Sequence, residues 1–251
     1  MWLNLLSLDA PLIALVWQDF LARCFRLSLF PAGRIALGLT VWAIYLADRL
    51  LDIRHPACPA EGVRHRFYRD HRPAAQALLS AVLCADLLVA CFWLRPAVVN
   101  RGLIVSAGVS VYLGAFSLVR ADTDDLKKMA DLKKPFAGLL FTAGTFLTAS
   151  TAMHSGLLLA WPAAAFCALC LGNLLLIEHW VHGRNIVRIA VAMAILSGVC
   201  LVVGPVRGPW FAAVGISAAA LVALACSRHK LSRDARCVLA DAVLLSPLLF
   251  R

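Results

Sequence analysis

An all-α fold, a polytopic membrane bundle of about nine transmembrane helices, is what this sequence predicts, on three observations. Hydrophobic residues make up 62% of the 251, charged residues only 15%, and the mean hydropathy is +0.82. A soluble domain of this length cannot bury so much apolar surface. The apolar residues also fall in runs of about 20, the length of helix that crosses a hydrocarbon layer roughly 30 Å thick. A helix satisfies its own backbone hydrogen bonds there. Finally, no ten-residue segment alternates apolar and polar residues as an outer-membrane barrel strand does.

Taken in order, apolar runs bounded by charge, Pro or Gly place spans near residues 11–29, 34–51, 74–94, 103–119, 136–153, 157–177, 186–203, 210–225 and 237–249. The first contains Asp19, Arg23 and Arg26 and is closed by Pro31, so it is expected to enter the membrane obliquely or to lie partly at its surface. It lacks the basic start and small-residue cleavage site of a signal peptide. No long linker, low-complexity stretch or clear repeat divides the chain, which reads as one membrane domain, residues 1–251.

Lys and Arg set the orientation. Sixteen fall in the connections after the second, fourth, sixth and eighth spans and six in the opposite ones. The even-numbered connections are therefore expected on the cytoplasmic side, with the amino terminus, as in a bacterial inner membrane. The net charge of +10 follows from this bias and from attraction to anionic lipid, without a nucleic-acid partner. Nine cysteines give no disulfide or zinc pattern; those within spans, including Cys167 and Cys170, read as small apolar packers.

Charge left at the ends of spans carries the chemistry. Tyr45-Leu-Ala-Asp48-Arg49-Leu-Leu-Asp52 closes the second span. Asp48 and Asp52 share one helix face, and their mutual repulsion is about 3 kcal/mol at roughly 5–6 Å and an effective dielectric near 20. Arg49 points about 100° away and is expected to shield them only partly. A divalent metal carrying a phosphorylated ligand would bridge both acids; a headgroup-level ion cluster is the simpler alternative.

A basic and aromatic loop follows, residues 64–72, in which Arg66 and its neighbours suit phosphate oxygens. The fourth connection holds Asp122, Asp124, Asp125, Lys127, Lys128, Lys133 and Lys134, and mixed charge of this kind also serves as a solvated loop. The sixth span carries Asn173 and ends in Glu178-His-Trp-Val-His182. Glu178 and His182, again four apart, suit metal binding, acid–base work or pairing with each other. Asp86 and Asp241 lie deeper in their spans, where acids either function or pair with another helix.

These three regions together resemble the UbiA superfamily of intramembrane prenyltransferases. Asp48-Arg49-x-x-Asp52 matches the end of that family's Asn-Asp-x-x-Asp-x-x-x-Asp motif after the second helix, although Ile44 and Tyr45 replace its Asn and first Asp. Lys133-Lys134-Pro135 running into Gly138-x-x-Phe141-x-x-Gly144 is similar to the family's basic stretch and fifth helix. Glu178 and His182 stand at the spacing of the second Asp motif, which is otherwise absent.

The resemblance implies a bundle around a lipid-accessible cavity, with Mg²⁺ as cofactor and an isoprenyl diphosphate and a lipophilic, aromatic or quinone-like acceptor as substrates. It implies Asp48, Asp52, Glu178 and His182 as catalytic residues, with Asp48, Asp52 and Glu178 as metal ligands. Tyr45, Arg49, Arg66, Lys133, Lys134 and Asn173 would bind substrate. The implied activity is Mg²⁺-dependent prenyl transfer within the membrane, and the missing motif residues favour the alternative of a non-catalytic isoprenoid or lipid binder on the same fold.

Overall fold

The computed structural model describes residues 6–53, 63–118, 124–153, 157–182, 187–227 and 231–250, with the side chains of 63–65, 116–118, 124–133, 157, 182, 187 and 204–207 outside the description. It is helical throughout, with no strand among the described residues. The helices are α1 (Asp9–Cys24), α2 (Pro31–Asp52), α3 (Val63–Asp70), α4 (Arg72–Phe92), α5 (Pro96–Leu118), α6 (Asp124–Ala152), α7 (Leu157–His182), α8 (Val187–Arg207), α9 (Pro209–Cys226) and α10 (Arg233–Val243), followed by a 3₁₀ turn (Ser246–Phe250).

Four helices are long and apolar enough to cross a membrane: α4, α5 over Pro96–Ala115, α7 over Leu158–Val181, and α9. In α4 and α5 only 11% of the apolar window is buried within the protein. Leu83, Leu87, Leu88 and Phe92 on α4, and Leu103, Ile104 and Val111 on α5, face outward. Surface of this kind is stable against lipid and not against water. The other expected spans differ from the four. Helix α2 is long enough at 22 residues but carries Arg34, Asp48, Arg49 and Asp52. Helices α1 and α10 have 16 and 11 residues, about 24 and 16 Å, and neither reaches across alone.

Two stretches expected as loops are helical. Residues 63–70 form α3, where Phe67 stacks on His71 and Tyr68 is buried. Helix α6 begins at Asp124 and runs through Pro135, so the Lys-rich stretch belongs to the helix.

The chain forms two compact units, residues 1–15 with 29–140 and residues 16–28 with 141–251. In the first, α2 packs mainly on α4, flanked by α3 and α5. Ala43, Leu46, Leu50, Tyr68, Ala75 and Val82 make its core. Thr40 Oγ1 lies 2.6 Å from Asp86 Oδ2, so the acid within α4 is paired with α2.

In the second unit α8 and α9 form the closest pair and α7 packs on α8, α9 and α10. Gly208, at φ +106°, makes the one-residue turn between α8 and α9, with Pro209 opening the next helix. Trp17 and Trp210 are fully buried at an aromatic centre with Phe20, Phe146 and Phe166. Their indole N–H groups donate to Leu244 O at 2.7 Å and Pro162 O at 3.2 Å.

Candidate functional site

The last two turns of α2 gather the polar groups of the first unit. Pro31 opens the helix, and an apolar face made by Val41, Ala43, Leu46 and Leu50 docks it on the core. That leaves Tyr45, Asp48, Arg49 and Asp52 on half-buried positions at its end. Arg49 does more than shield from a distance. Its flexible stem carries Nη1 to 3.2 Å from Asp52 Oδ2, an i,i+3 ion pair whose side chains are 21% and 26% exposed. Asp48, Asp52, Tyr45 and Asp9 all lie within electrostatic reach of the guanidinium. Its Nε is buried without an acceptor.

Two members of this group come from far along the chain, and sequence reasoning missed both. Asp9 opens α1. Tyr112 on α5 is only 8% exposed and feels the charges of Asp48, Asp52 and Arg49. The chain has three tyrosines, and all three border this helix end: Tyr45 on α2 itself, Tyr112 from α5, and Tyr68, which packs with Leu46 and Leu50 and pairs with Ser7 Oγ at 3.1 Å. That concentration of a rare residue type was the available signal.

The remaining expected residues divide as follows. Arg66 is exposed on α3. Lys134, half-buried, lies on α6; Lys133 is its neighbour, with a side chain outside the description. Asn173, Glu178 and His182 belong to the second unit. Asn173 is buried on α7 and donates through Nδ2 to Asp241 Oδ1 at 3.1 Å, so the second deep acid is also paired with another helix. Glu178 is half-buried in the last turns of α7, and His182 is its final residue, with a side chain outside the description. Cys167 and Cys170 are free thiols, Cys170 buried among apolar neighbours.

Chemically, three carboxylates around one guanidinium repel a free diphosphate and attract cations. Their oxygens are hard donors of the kind Mg²⁺ takes, so the pair Asp48 and Asp52 fits such an ion. Among the described residues no three His, Cys, Asp or Glu side chains converge as a metal-binding group.

Outward apolar helices joined by paired polar groups define the class: a polytopic helical membrane protein. No family model matches the chain, and no curated protein or solved structure is similar to it.

Proposed function

We propose that the chain is a divergent UbiA-like membrane protein that transfers an isoprenyl group from its diphosphate to a lipophilic acceptor in a Mg²⁺-dependent reaction. The observation that carries this reading is the convergence of Asp9, Asp48, Asp52, Tyr45 and Tyr112 around Arg49 at the end of a long apolar helix. Among the described residues the helices follow the order of the segments read from the sequence, four of them long and apolar enough to span a membrane, and the charge bias supports a cytoplasmic amino terminus in a bacterial inner membrane.

In this reading Asp48 and Asp52 would hold Mg²⁺, which would supply positive charge to the diphosphate leaving group. Arg49 orients Asp52 through their ion pair. Arg66, Lys133 and Lys134 draw in the diphosphate, and the rings of Tyr45 and Tyr112 wall the prenyl carbon as it gains positive charge. In the second unit Glu178 and His182 stand at the spacing of the second acidic motif, the first suited to a metal and the second to acid–base work.

The Arg49–Asp52 pair favours a second reading. With a guanidinium already bound to one of the two carboxylates, the same fold serves as a non-catalytic isoprenoid or lipid binder. Feeding labelled isoprenyl diphosphates to membranes with and without the overexpressed chain separates the two. A new prenylated lipid that disappears in Asp48→Asn and Asp52→Asn supports the transferase. Metal-dependent retention of the diphosphate with no product supports the binder. Equal retention with Mg²⁺, with chelator and in both variants removes both and leaves a headgroup anchor.

A further inference from the structure

The second unit holds a pair of polar groups that its own chain leaves unmet. Trp180, near the end of α7, is 8% exposed, and its indole Nε1 is buried with no acceptor. Arg236, in the first turns of α10, has its Nε buried in the same state, and its guanidinium carbon lies 5.6 Å from the centre of the Trp180 ring. Elsewhere buried and half-buried tryptophans find carbonyls: Trp17 bonds Leu244 O, Trp42 bonds Leu6 O at 2.9 Å, and Trp210 bonds Pro162 O. Native proteins rarely leave such donors empty, and two in one seam point to a missing acceptor.

The seam is fixed by independent contacts. Asn173 and Asp241 bond across α7 and α10 two turns away, and Ser232 caps α10 by accepting from Ala235 N at 3.3 Å. What fits is an oxygen-rich group. One of the two donors belongs to a permanent cation, so the group is anionic, and a phosphate accepts from both at once. Asp234 and Arg233 are exposed on the same turn as Arg236 and carry opposite charges. Just beyond, Val238 and Leu239 are exposed on α10, apolar surface suited to acyl chains.

We propose that the α7–α10 seam binds the phosphate of an anionic phospholipid, with the Trp180 Nε1–H and Arg236 Nε–H groups donating to its oxygens. Its acyl chains run along Val238 and Leu239.

The test uses the full chain, purified in detergent, stripped of lipid and mixed with equal amounts of phosphatidylglycerol and phosphatidylcholine. Native mass spectrometry then reads the ratio retained, so that general loss of stability cancels within each variant. Wild-type protein is expected to favour phosphatidylglycerol about tenfold, the scale of one charge-assisted hydrogen bond. Trp180→Phe keeps the ring and loses the donor; Arg236→Lys keeps the charge and loses Nε–H. Both should bring the ratio near one, while Arg233→Gln, on the exposed side, keeps it. An unchanged ratio in both Trp180→Phe and Arg236→Lys overturns the proposal in favour of diffuse attraction. Displacement of phosphatidylglycerol by equimolar inorganic phosphate overturns the lipid assignment in favour of a free-anion site.

Discussion

Replacing Arg49 by Gln removes a cation that is paired with Asp52 and lies within electrostatic reach of Asp9 and Asp48. At 3.2 Å and an effective dielectric near 20, the attraction lost is about 5 kcal/mol before solvation is counted. Both side chains are between a fifth and a third exposed, so water returns much of it. The expected loss falls between that of a surface pair, up to about 1 kcal/mol, and of a buried one, about 3–5 kcal/mol. We take about 2 kcal/mol, a fall in melting temperature of roughly 4–8 °C for a chain of this size. Adding Asp52→Asn should restore about half, because the neutral amide removes both the stranded charge and its repulsion from Asp48. Melting is followed by tryptophan fluorescence in detergent, with and without millimolar Mg²⁺. If the carboxylates bind a divalent ion, Mg²⁺ stabilises Arg49→Gln more than it stabilises the Arg49→Gln/Asp52→Asn double variant. A melting temperature for Arg49→Gln within about 2 °C of wild type would refute the balance argued for this helix end.

Further outcomes follow from single features. A Cβ at Gly215 would stand 2.7 Å from Leu201 Cγ and 3.1 Å from its backbone nitrogen, which cannot swing away, so Gly215→Ala should cost about 1–3 kcal/mol in thermal or chemical unfolding. At Gly172 the obstacle is the flexible Met193 side chain, and Met193→Ala should restore most of what Gly172→Ala loses. Arg26 closes α1 at φ +52°, with Leu27 N bonded to Ala22 O at 2.8 Å; Arg26→Gly removes the strain and should stabilise by about 1 kcal/mol. Reporters placed at Ala130 and after Arg236 should both read cytoplasmic, and a periplasmic signal from either would undo the orientation.

Composition made the membrane class legible, since helices such as α4 and α7 announce themselves by uninterrupted apolar length. Charge is where reading the sequence went astray. Residues 63–70 read as a loop because five of the eight are charged or His, yet Tyr68, buried in the core, and Phe67, packed against it, dock a short helix on α2. Pro135 read as a boundary, although the helix passes through it. The end of α2 was legible as a pair of acids at one spacing, a local property. Its other members were not: Asp9 and Tyr112 reach Arg49 only through packing between helices distant in sequence, and no periodicity encodes that. The same holds for Arg49, whose projected direction on a helical wheel ignores the reach of a long, flexible side chain.

Interhelical polar pairs explain why those contacts matter more here than their number suggests. Lipid offers apolar helices no hydrophobic reason to choose one another, so close packing of small residues and a few hydrogen bonds decide which faces meet. In the first unit Thr40 and Asp86 join α2 to α4. In the second, Gln18 Nε2 donates to Thr148 Oγ1 at 2.9 Å, joining α1 to α6, and Ser217 and Ser246 pair at 2.7 Å, joining α9 to the 3₁₀ turn. Asn173 and Asp241 join α7 to α10. Each pair specifies a neighbour, although Gln18 Oε1 and Asn173 Oδ1 are themselves buried without a donor. The end of α2 and the Trp180–Arg236 seam depart from that pattern by buried donors without an acceptor, Arg49 Nε in the first and Trp180 Nε1 with Arg236 Nε in the second. A ligand that met those donors would shift the free energy of these two helix ends in favour of the bound state.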